Sequence, residues 1–156
     1  MRSIFIEEAR RQNLALGLNP DGTCLGDIAK PFAWCRTITT SSGRSDPFCQ
    51  DVLAVLVRMA SARLVDGSPF GGWYGETCCD EEGFFRISYT RLADKFNTYA
   101  KRVKRAVVKL EQLGVIERRV RIDDIPSDSG TVRGQNSLYI RIVPEGLAAL
   151  SEDGGH

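Results

Sequence analysis

The stretch "YTRLADKFNTYAKRVKRAVVKLEQLGVIERRVRI", from Tyr89 to Ile122, decides the fold. Its middle part repeats apolar residues at intervals of three and four, which is the spacing of one face of an α-helix. These residues are Val103, Ala106, Val107, Leu110 and Leu113. Gly114 follows them, at the position where helices commonly end in a left-handed residue. The pattern predicts a helix from near Tyr99 to Leu113.

A shorter helix is predicted just before it. Ser88 is a good N-cap, and "YTRLADKF" keeps Leu92, Ala93 and Phe96 at helical spacing. Asn97 and Thr98 then interrupt the pattern. The two helices are therefore expected to be joined by a tight turn.

Short strands are predicted on both sides of this helix pair. "FFRI" precedes it, and "VIERRVRI" and "SLYIRIV" alternate apolar and polar residues as antiparallel strands do. The polar segment "DDIPSDSGTVRGQN" between the last two is predicted to be a loop. Upstream, Asp46 and Pro47 predict the start of a core helix. This order indicates an α+β, mainly helical fold: a winged helix-turn-helix with a small antiparallel β-wing and an N-terminal arm.

The length of 156 residues suits one globular domain, which we divide into three segments. Residues 1–45 are predicted to be an N-terminal helix followed by an irregular arm with one strand at Trp34 to Thr39. Residues 46–150 form the winged domain, and residues 151–156 are a disordered tail. Within the winged domain, the glycine-rich segment "DGSPFGGWYGETCCDEEG" is predicted to be a loop.

Charge is distributed unevenly along the chain. Residues 84–143 hold 13 basic and 6 acidic side chains, whereas the other residues hold 8 and 14. No acidic residue interrupts the six basic ones between Lys95 and Lys109. With the apolar stripe facing inward, Lys101 and Arg105 point outward and Arg102 and Lys104 flank them. A single-sign face of this kind is typical of nucleic-acid binding, although a solvated helix face is the alternative.

The quoted residues also carry a resemblance. "RLADKFNTYAKRVKRAVVKLEQLGVIERR" resembles the winged helix-turn-helix of bacterial transcription regulators and of phage or plasmid replication-organising proteins. "GQNSLYIRIVPEGLAAL" is similar to the closing strand of the replication group and to the last strand of MarR-like repressors. The resemblance covers about Asp46 to Leu150. It implies sequence-specific binding to double-stranded DNA, in transcriptional regulation or in replication initiation.

The resemblance also implies which residues contact DNA. Matched position by position, it implies that one helix enters the major groove and that the tip of a hairpin forms the wing. The predicted DNA-binding residues are Ala100, Lys101, Arg102, Lys104 and Arg105 on the helix, Arg118 and Arg119 beside the wing, and Arg133, Gln135 and Asn136 at the wing. Two features depart from the family pattern: Tyr99 replaces a small N-capping residue, and the wing opens with the acidic "DDIPSD".

Other functional classes find little support in the sequence. Catalysis is not expected, because the only histidine is His156 and no nucleophile, base and orienting group can be assembled. The five cysteines lack the spacing of a zinc site, so we expect neither metal nor cofactor. The apolar runs are shorter than a membrane span, and no export signal is visible. We expect a cytoplasmic, nucleoid-associated protein.

The main alternative is a winged helix that binds another protein instead of DNA. In that case an aromatic patch would form the docking surface, as in a phage or effector adaptor: Trp34, Phe70, Trp73 and Tyr74. Core packing is the simpler explanation for at least two of these side chains. Whether the chain forms a homodimer is left open by the sequence.

Overall fold

The computed structural model describes residues 1–23, 38–67, 71–128 and 130–153, and their side chains except at 124–127, 131–135 and 151–153. Within this part, six strands and five helices follow one another along the chain. They are β1 (Arg2–Phe5), α1 (Ile6–Ala15), α2 (Pro47–Ala60), β2 (Arg63–Val65), β3 (Tyr74–Thr77), β4 (Phe84–Ile87), α3 (Tyr89–Lys95), α4 (Ala100–Gln112), β5 (Ile116–Ser127), β6 (Gly130–Ile142) and α5 (Pro144–Asp153).

The strands form two antiparallel three-stranded sheets, in the orders β1-β3-β2 and β4-β6-β5. The fold is α+β, but the expectation of a mainly helical winged helix-turn-helix with a small wing and an N-terminal arm is wrong. Strands β5 and β6 are 12 and 13 residues long, and they take in most of the segment predicted to be a polar loop. That segment lacks the apolar alternation of a strand with one buried face. It pairs nevertheless, because backbone hydrogen bonds between strands do not require a buried face.

The first residues of the chain form a strand of a sheet instead of the predicted helix. Residues Arg2 to Phe5, predicted to start a helix, pair with Thr77 to Tyr74 of β3, and the helix begins only at Ile6. Strand β3 itself lies in the segment that we predicted to be a loop. More than 60 residues separate β1 from β3, so local sequence patterns could not reveal the pairing.

Helix α1 packs closely against this N-terminal sheet. A Cβ atom at Gly75 of β3 would collide with the side chain of Ala9, so the close approach requires glycine. The buried Asn13 side chain donates to the carbonyls of Pro20 and Ala62 and accepts from the Ala62 N–H. Because every polar atom of this amide is used, Asn13 joins α1 to the chain that follows α2.

The main core lies between helices α2, α3 and α4 and the inner face of the β4-β6-β5 sheet. Its largest fully buried side chains include Phe85, Leu53, Leu56, Leu110 and Ile140. Helix α5 closes one end of this core through Leu147. Its last three residues were predicted to belong to the tail, and residues 154–156 lie outside the described part.

Helix boundaries agree with the local signals. Asp46 accepts a hydrogen bond from the Cys49 N–H and Pro47 opens α2, while Ser88 accepts from the Arg91 N–H and caps α3. Tyr99 precedes α4 without a side-chain cap. None of the described helices combines the length and the apolar character that crossing a bilayer requires.

Candidate nucleic-acid interface

Helix α4 has one buried face and one strongly basic face. Val103, Ala106, Val107 and Leu110 are buried as predicted, but Leu113, the last residue of the predicted stripe, lies just after the helix and is 44% exposed. Lys101, Arg102, Lys104 and Arg105 are all exposed, and Ala100 is half-buried against the core. The described chain therefore presents four cations on the first two turns of one helix.

A tight turn holds α4 against α3. Asn97 adopts a left-handed conformation with φ of 53°, which asparagine tolerates better than most residues. The Thr98 N–H donates to the Ala93 carbonyl at 2.9 Å, so the chain reverses direction within a few residues. The predicted break at Asn97 and Thr98 is confirmed.

The exposed face of α4 forms one wall of an open groove of about 590 Å³. The groove is lined by Tyr89, Ala100, Lys101, Lys104, Arg105, Val108, Lys109 and Gln112. Within the described residues, no hydrogen bond or ion pair engages the charged ends of Lys101, Lys104 or Arg105. These three cations therefore remain available to a ligand.

Two other cations of α4 are used within the chain. The Arg102 guanidinium lies 4.0 Å from the centre of the Phe48 ring, a cation–π contact that also anchors its stem. Lys109 donates to the Thr39 carbonyl and, at 2.6 Å, to Asp46 Oδ2. Partial burial acts to raise the pKa of Asp46, but hydrogen bonds from Lys109 and the Cys49 N–H lower it overall.

Arg118 lies where the hairpin leaves the core, on the sheet face that carries α4. Its guanidinium pairs with Glu111 at 3.0 Å and donates to the Tyr89 hydroxyl at 3.3 Å. The hydrogen bond from Arg118 lowers the pKa of Glu111. This arginine, predicted to bind DNA, thus fastens β5 to α4 and to the first residue of α3.

Arg119 lies on the opposite face of the sheet. It pairs with Glu82 at 3.0 Å, and its guanidinium lies 4.2 Å from the centre of the Phe84 ring. The neighbouring Arg121 pairs with Asp80 at 2.9 Å and covers the same ring at 5.2 Å. The acidic turn Asp80 to Glu82 therefore neutralises these arginines, and Phe84 is buried beneath them.

The predicted wing residues occupy β6, not a loop. The backbone of Gln135 pairs with Asp123 and that of Asn136 with Ile122. The Asn136 side chain is exposed, whereas the side chains of Arg133 and Gln135 lie outside the described part. The structure therefore brings together the helix residues but does not join Arg119 to them.

The aromatic residues considered for protein docking fall into two groups. Trp34 and Phe70 lie outside the described residues. Trp73 is 54% exposed, and Tyr74 is half-buried on the outer face of the N-terminal sheet. Phe5, which we expected to be in a helix, pairs with Tyr74 across the strands and is 80% exposed.

Five residues of the candidate interface were missed. Val108, Lys109 and Gln112 of α4 line the groove together with Tyr89, and Phe48 supports Arg102 from α2. Tyr89 could have been suspected, because it directly follows the N-cap of α3. Nothing in the sequence near Phe48 indicated a contact with α4, since more than 50 residues separate the two side chains.

No group of three or more metal-ligating side chains occurs among the described residues. The described cysteines are free thiols, of which Cys49 and Cys79 are buried and Cys78 is exposed. Burial raises the pKa of Cys49 to about 11 and also raises that of Cys79. Neither buried thiol would ionise near neutral pH, which makes both poor nucleophiles.

Comparison with known proteins adds no family assignment: no protein-family model, curated protein sequence or solved structure matches this chain.

Proposed function

We propose that the protein binds double-stranded DNA through the exposed face of α4, as a transcriptional regulator or a replication-initiation protein. The observation that carries this proposal is the set of unpaired cations along the groove, Lys101, Lys104 and Arg105. Arg118, Arg119, Arg121 and Arg141 beside the hairpin are paired with carboxylates, whereas these three cations share one exposed helix face and have no partner in the described chain.

The position of these charges on the helix supports a ligand role. The first turn of α4 contains no acidic residue, and Lys101 and Arg102 occupy it instead. Cations near a helix N-terminus oppose the helix dipole and lower helix stability. A phosphate backbone would reverse this penalty, because it is attracted both by the side chains and by the dipole.

The size and form of the helix also suit a duplex. A helix fits into the major groove of B-DNA, where an arginine side chain can pair with a guanine edge. Arg105 lies one turn after Lys101, so the two side chains follow each other along one exposed ridge. Tyr89, at the start of α3, adds a hydroxyl beside the same ridge. The resemblance to DNA-binding regulators and replication proteins points the same way.

A binding titration at several salt concentrations tests the proposal. We expect a log-log slope of about −3 per chain, because the groove offers three cations that are unpaired in the described chain and each neutralised phosphate contributes about −0.9. Arg63→Ala provides a matched control: this arginine is also exposed but pairs with Glu76 in the N-terminal sheet. It should leave the slope unchanged. Absence of duplex binding even at low salt would contradict the proposal.

Protein docking remains the second candidate function, and one observation favours it. Exposed Phe5 and half-buried Tyr74 form an aromatic row on the outer face of the β1-β3-β2 sheet, and exposed Trp73 lies next to it. Replacing Phe5 and Trp73 by serine should then abolish binding to a protein partner and leave DNA affinity unchanged. If the same variant weakens DNA binding while it remains folded, this surface serves DNA instead.

A further inference from the structure

In the part of the chain that the structure describes, the long hairpin has an edge without a neighbouring strand. Strand β5 is the outermost strand of the β4-β6-β5 sheet, and at its start the Arg118 N–H donates to the Glu111 side chain at 3.2 Å. Backbone groups alternate in direction along a strand. Val120 and Ile122 therefore also direct their N–H and C=O groups away from β6. Beyond Arg118, this edge is a template for another strand.

Two exposed apolar side chains accompany the free edge. Val120 is 63% exposed and Ile122 is 73% exposed. Both continue the inner face of the sheet, since Val120 lies opposite Leu138, which packs against the core. Natural sheets commonly protect an exposed edge with charged side chains on both faces. The inner face of this edge lacks such protection from Val120 to Ile122.

We propose that two copies of the chain pair through β5, antiparallel, about a two-fold axis at Arg121. In this register Val120 faces the second copy's Ile122, so four apolar side chains meet on the inner face. On the outer face Arg119, which also pairs with Glu82 of its own chain, lies opposite the second copy's Asp123, so opposite charges meet on both sides of the axis. A two-fold contact requires such self-complementarity.

Neighbouring registers are less favourable. With the axis at Val120, Arg119 would face the second copy's Arg121, and Glu117 would face Asp123. With the axis at Ile122, Ile122 would face its own counterpart, and Val120 would lose its apolar partner. In the proposed register the two Arg121 side chains do meet at the axis, but each is already paired with Asp80 of its own chain.

The pairing would produce one continuous six-stranded sheet. An axis perpendicular to a sheet keeps each face on its own side, so both α4 helices would lie on the same face. This arrangement would allow one duplex to contact both helices. The pairing itself does not depend on DNA binding, and it can be tested without DNA.

Sedimentation analysis of the full chain over a wide concentration range provides the first test. We expect a dimer whose fraction rises with concentration. The double variant Val120→Lys with Ile122→Lys should remain monomeric, because lysines on an edge strand prevent strand addition. Leu14→Lys is the matched control, since Leu14 is 55% exposed on α1, away from this edge. It should dimerise like the unchanged chain.

A monomeric wild-type chain at every concentration would overturn the proposal, as would a lysine double variant that still dimerises. Circular dichroism confirms that the variants are folded. If the wild-type chain is monomeric and the lysine substitutions change DNA affinity, Val120 and Ile122 contact the duplex instead of a second copy. That outcome also overturns the proposal, while it leaves DNA binding itself intact.

Disulfide formation tests the register. In the proposed register Val120 and the second copy's Ile122 form a directly opposed, hydrogen-bonded pair. The Cα atoms of such a pair are about 5.5 Å apart, within the range of a disulfide, whereas the Cα atoms of the two Val120 residues would be more than about 7 Å apart. A mixture of Val120→Cys and Ile122→Cys chains should therefore cross-link several-fold more than either variant alone. The unchanged chain, oxidised in parallel, accounts for the native cysteines. Stronger cross-linking within a single variant would rule out an axis at Arg121.

Discussion

The exposed face of α4 and the outer face of the hairpin use the same type of side chain in opposite ways. On α4, Lys101, Lys104 and Arg105 have no partner among the described residues. On the hairpin, Arg119 and Arg121 pair with the acidic turn and cover Phe84. A basic residue therefore indicates a ligand site only when the fold leaves its charge unpaired.

The largest expected effect concerns the aromatic ring under the hairpin arginines. Phe84→Ala should lower the free energy of unfolding by about 3–5 kcal/mol, since it empties a buried site beneath two guanidinium groups. Phe5→Ala, which removes an exposed ring, should change it by less than about 0.5 kcal/mol. Chemical denaturation measures both. Equal losses would show that the arginines of the hairpin do not cover a structural core.

The next largest effect concerns DNA affinity, which should depend on the exposed face of α4 and not on the outer face of the hairpin. Arg105→Ala should weaken binding to a preferred duplex by about 1–3 kcal/mol and relax the preference at one base position. Its stability should stay unchanged, because the Arg105 side chain has no partner in the described chain. The duplex for this measurement comes from selection of a random library.

Arg119→Ala is the matched comparison for Arg105→Ala. From the sequence alone we expected Arg119 to contact phosphates and to add about one unit to the salt slope. Its pairing with Glu82 on the face opposite α4 now predicts little change in the slope. If Arg119→Ala flattens the slope as much as Arg105→Ala does, the distinction between the two regions fails.

A smaller effect tests whether the cations in the first turn of α4 lower the stability of the chain. Lys101→Glu places an acidic side chain in the first turn, where it favours the helix dipole. We expect a gain in unfolding free energy on the order of 0.3–1 kcal/mol, together with weaker DNA binding. Lys104→Gln, which removes a charge without adding an acid, should weaken binding with a smaller change in stability. A destabilised Lys101→Glu chain would contradict this explanation.

The smallest effect concerns Lys109, the one lysine of α4 with a carboxylate partner. Asp46→Asn keeps an N-cap for α2 but removes the ion pair. Because the pKa of Asp46 is lowered in the folded chain, its contribution to stability is present above the unfolded pKa of about 3.9. The contribution is lost as the pH falls through the folded value. The difference in unfolding free energy between wild type and variant should therefore shrink as the pH falls below the unfolded pKa of Asp46.

Thermal unfolding at neutral and acidic pH measures this difference. If the difference in unfolding free energy stays constant down to the lowest pH at which the chain folds, the carboxylate charge of Asp46 does not stabilise the fold through Lys109.

Sequence alone was sufficient for the features that depend on neighbouring residues. The apolar stripe of α4, the caps at Asp46 and Ser88, the turn at Asn97 and the outward direction of Lys101 and Arg105 all followed from local spacing. Each of these depends on helix geometry or on a hydrogen bond within four residues, so the chain itself specifies it.

Only the tertiary structure decided the remaining features. It paired β1 with β3, extended the hairpin through a segment without apolar alternation, and set the acidic turn against Arg119 and Arg121. The strand pairing and the ion pairs join residues 37 to 75 positions apart. The extended hairpin continues past the core, where no buried face constrains the sequence. For the same reason, the sequence located the basic residues of this protein, but the fold determined which of them remain unpaired.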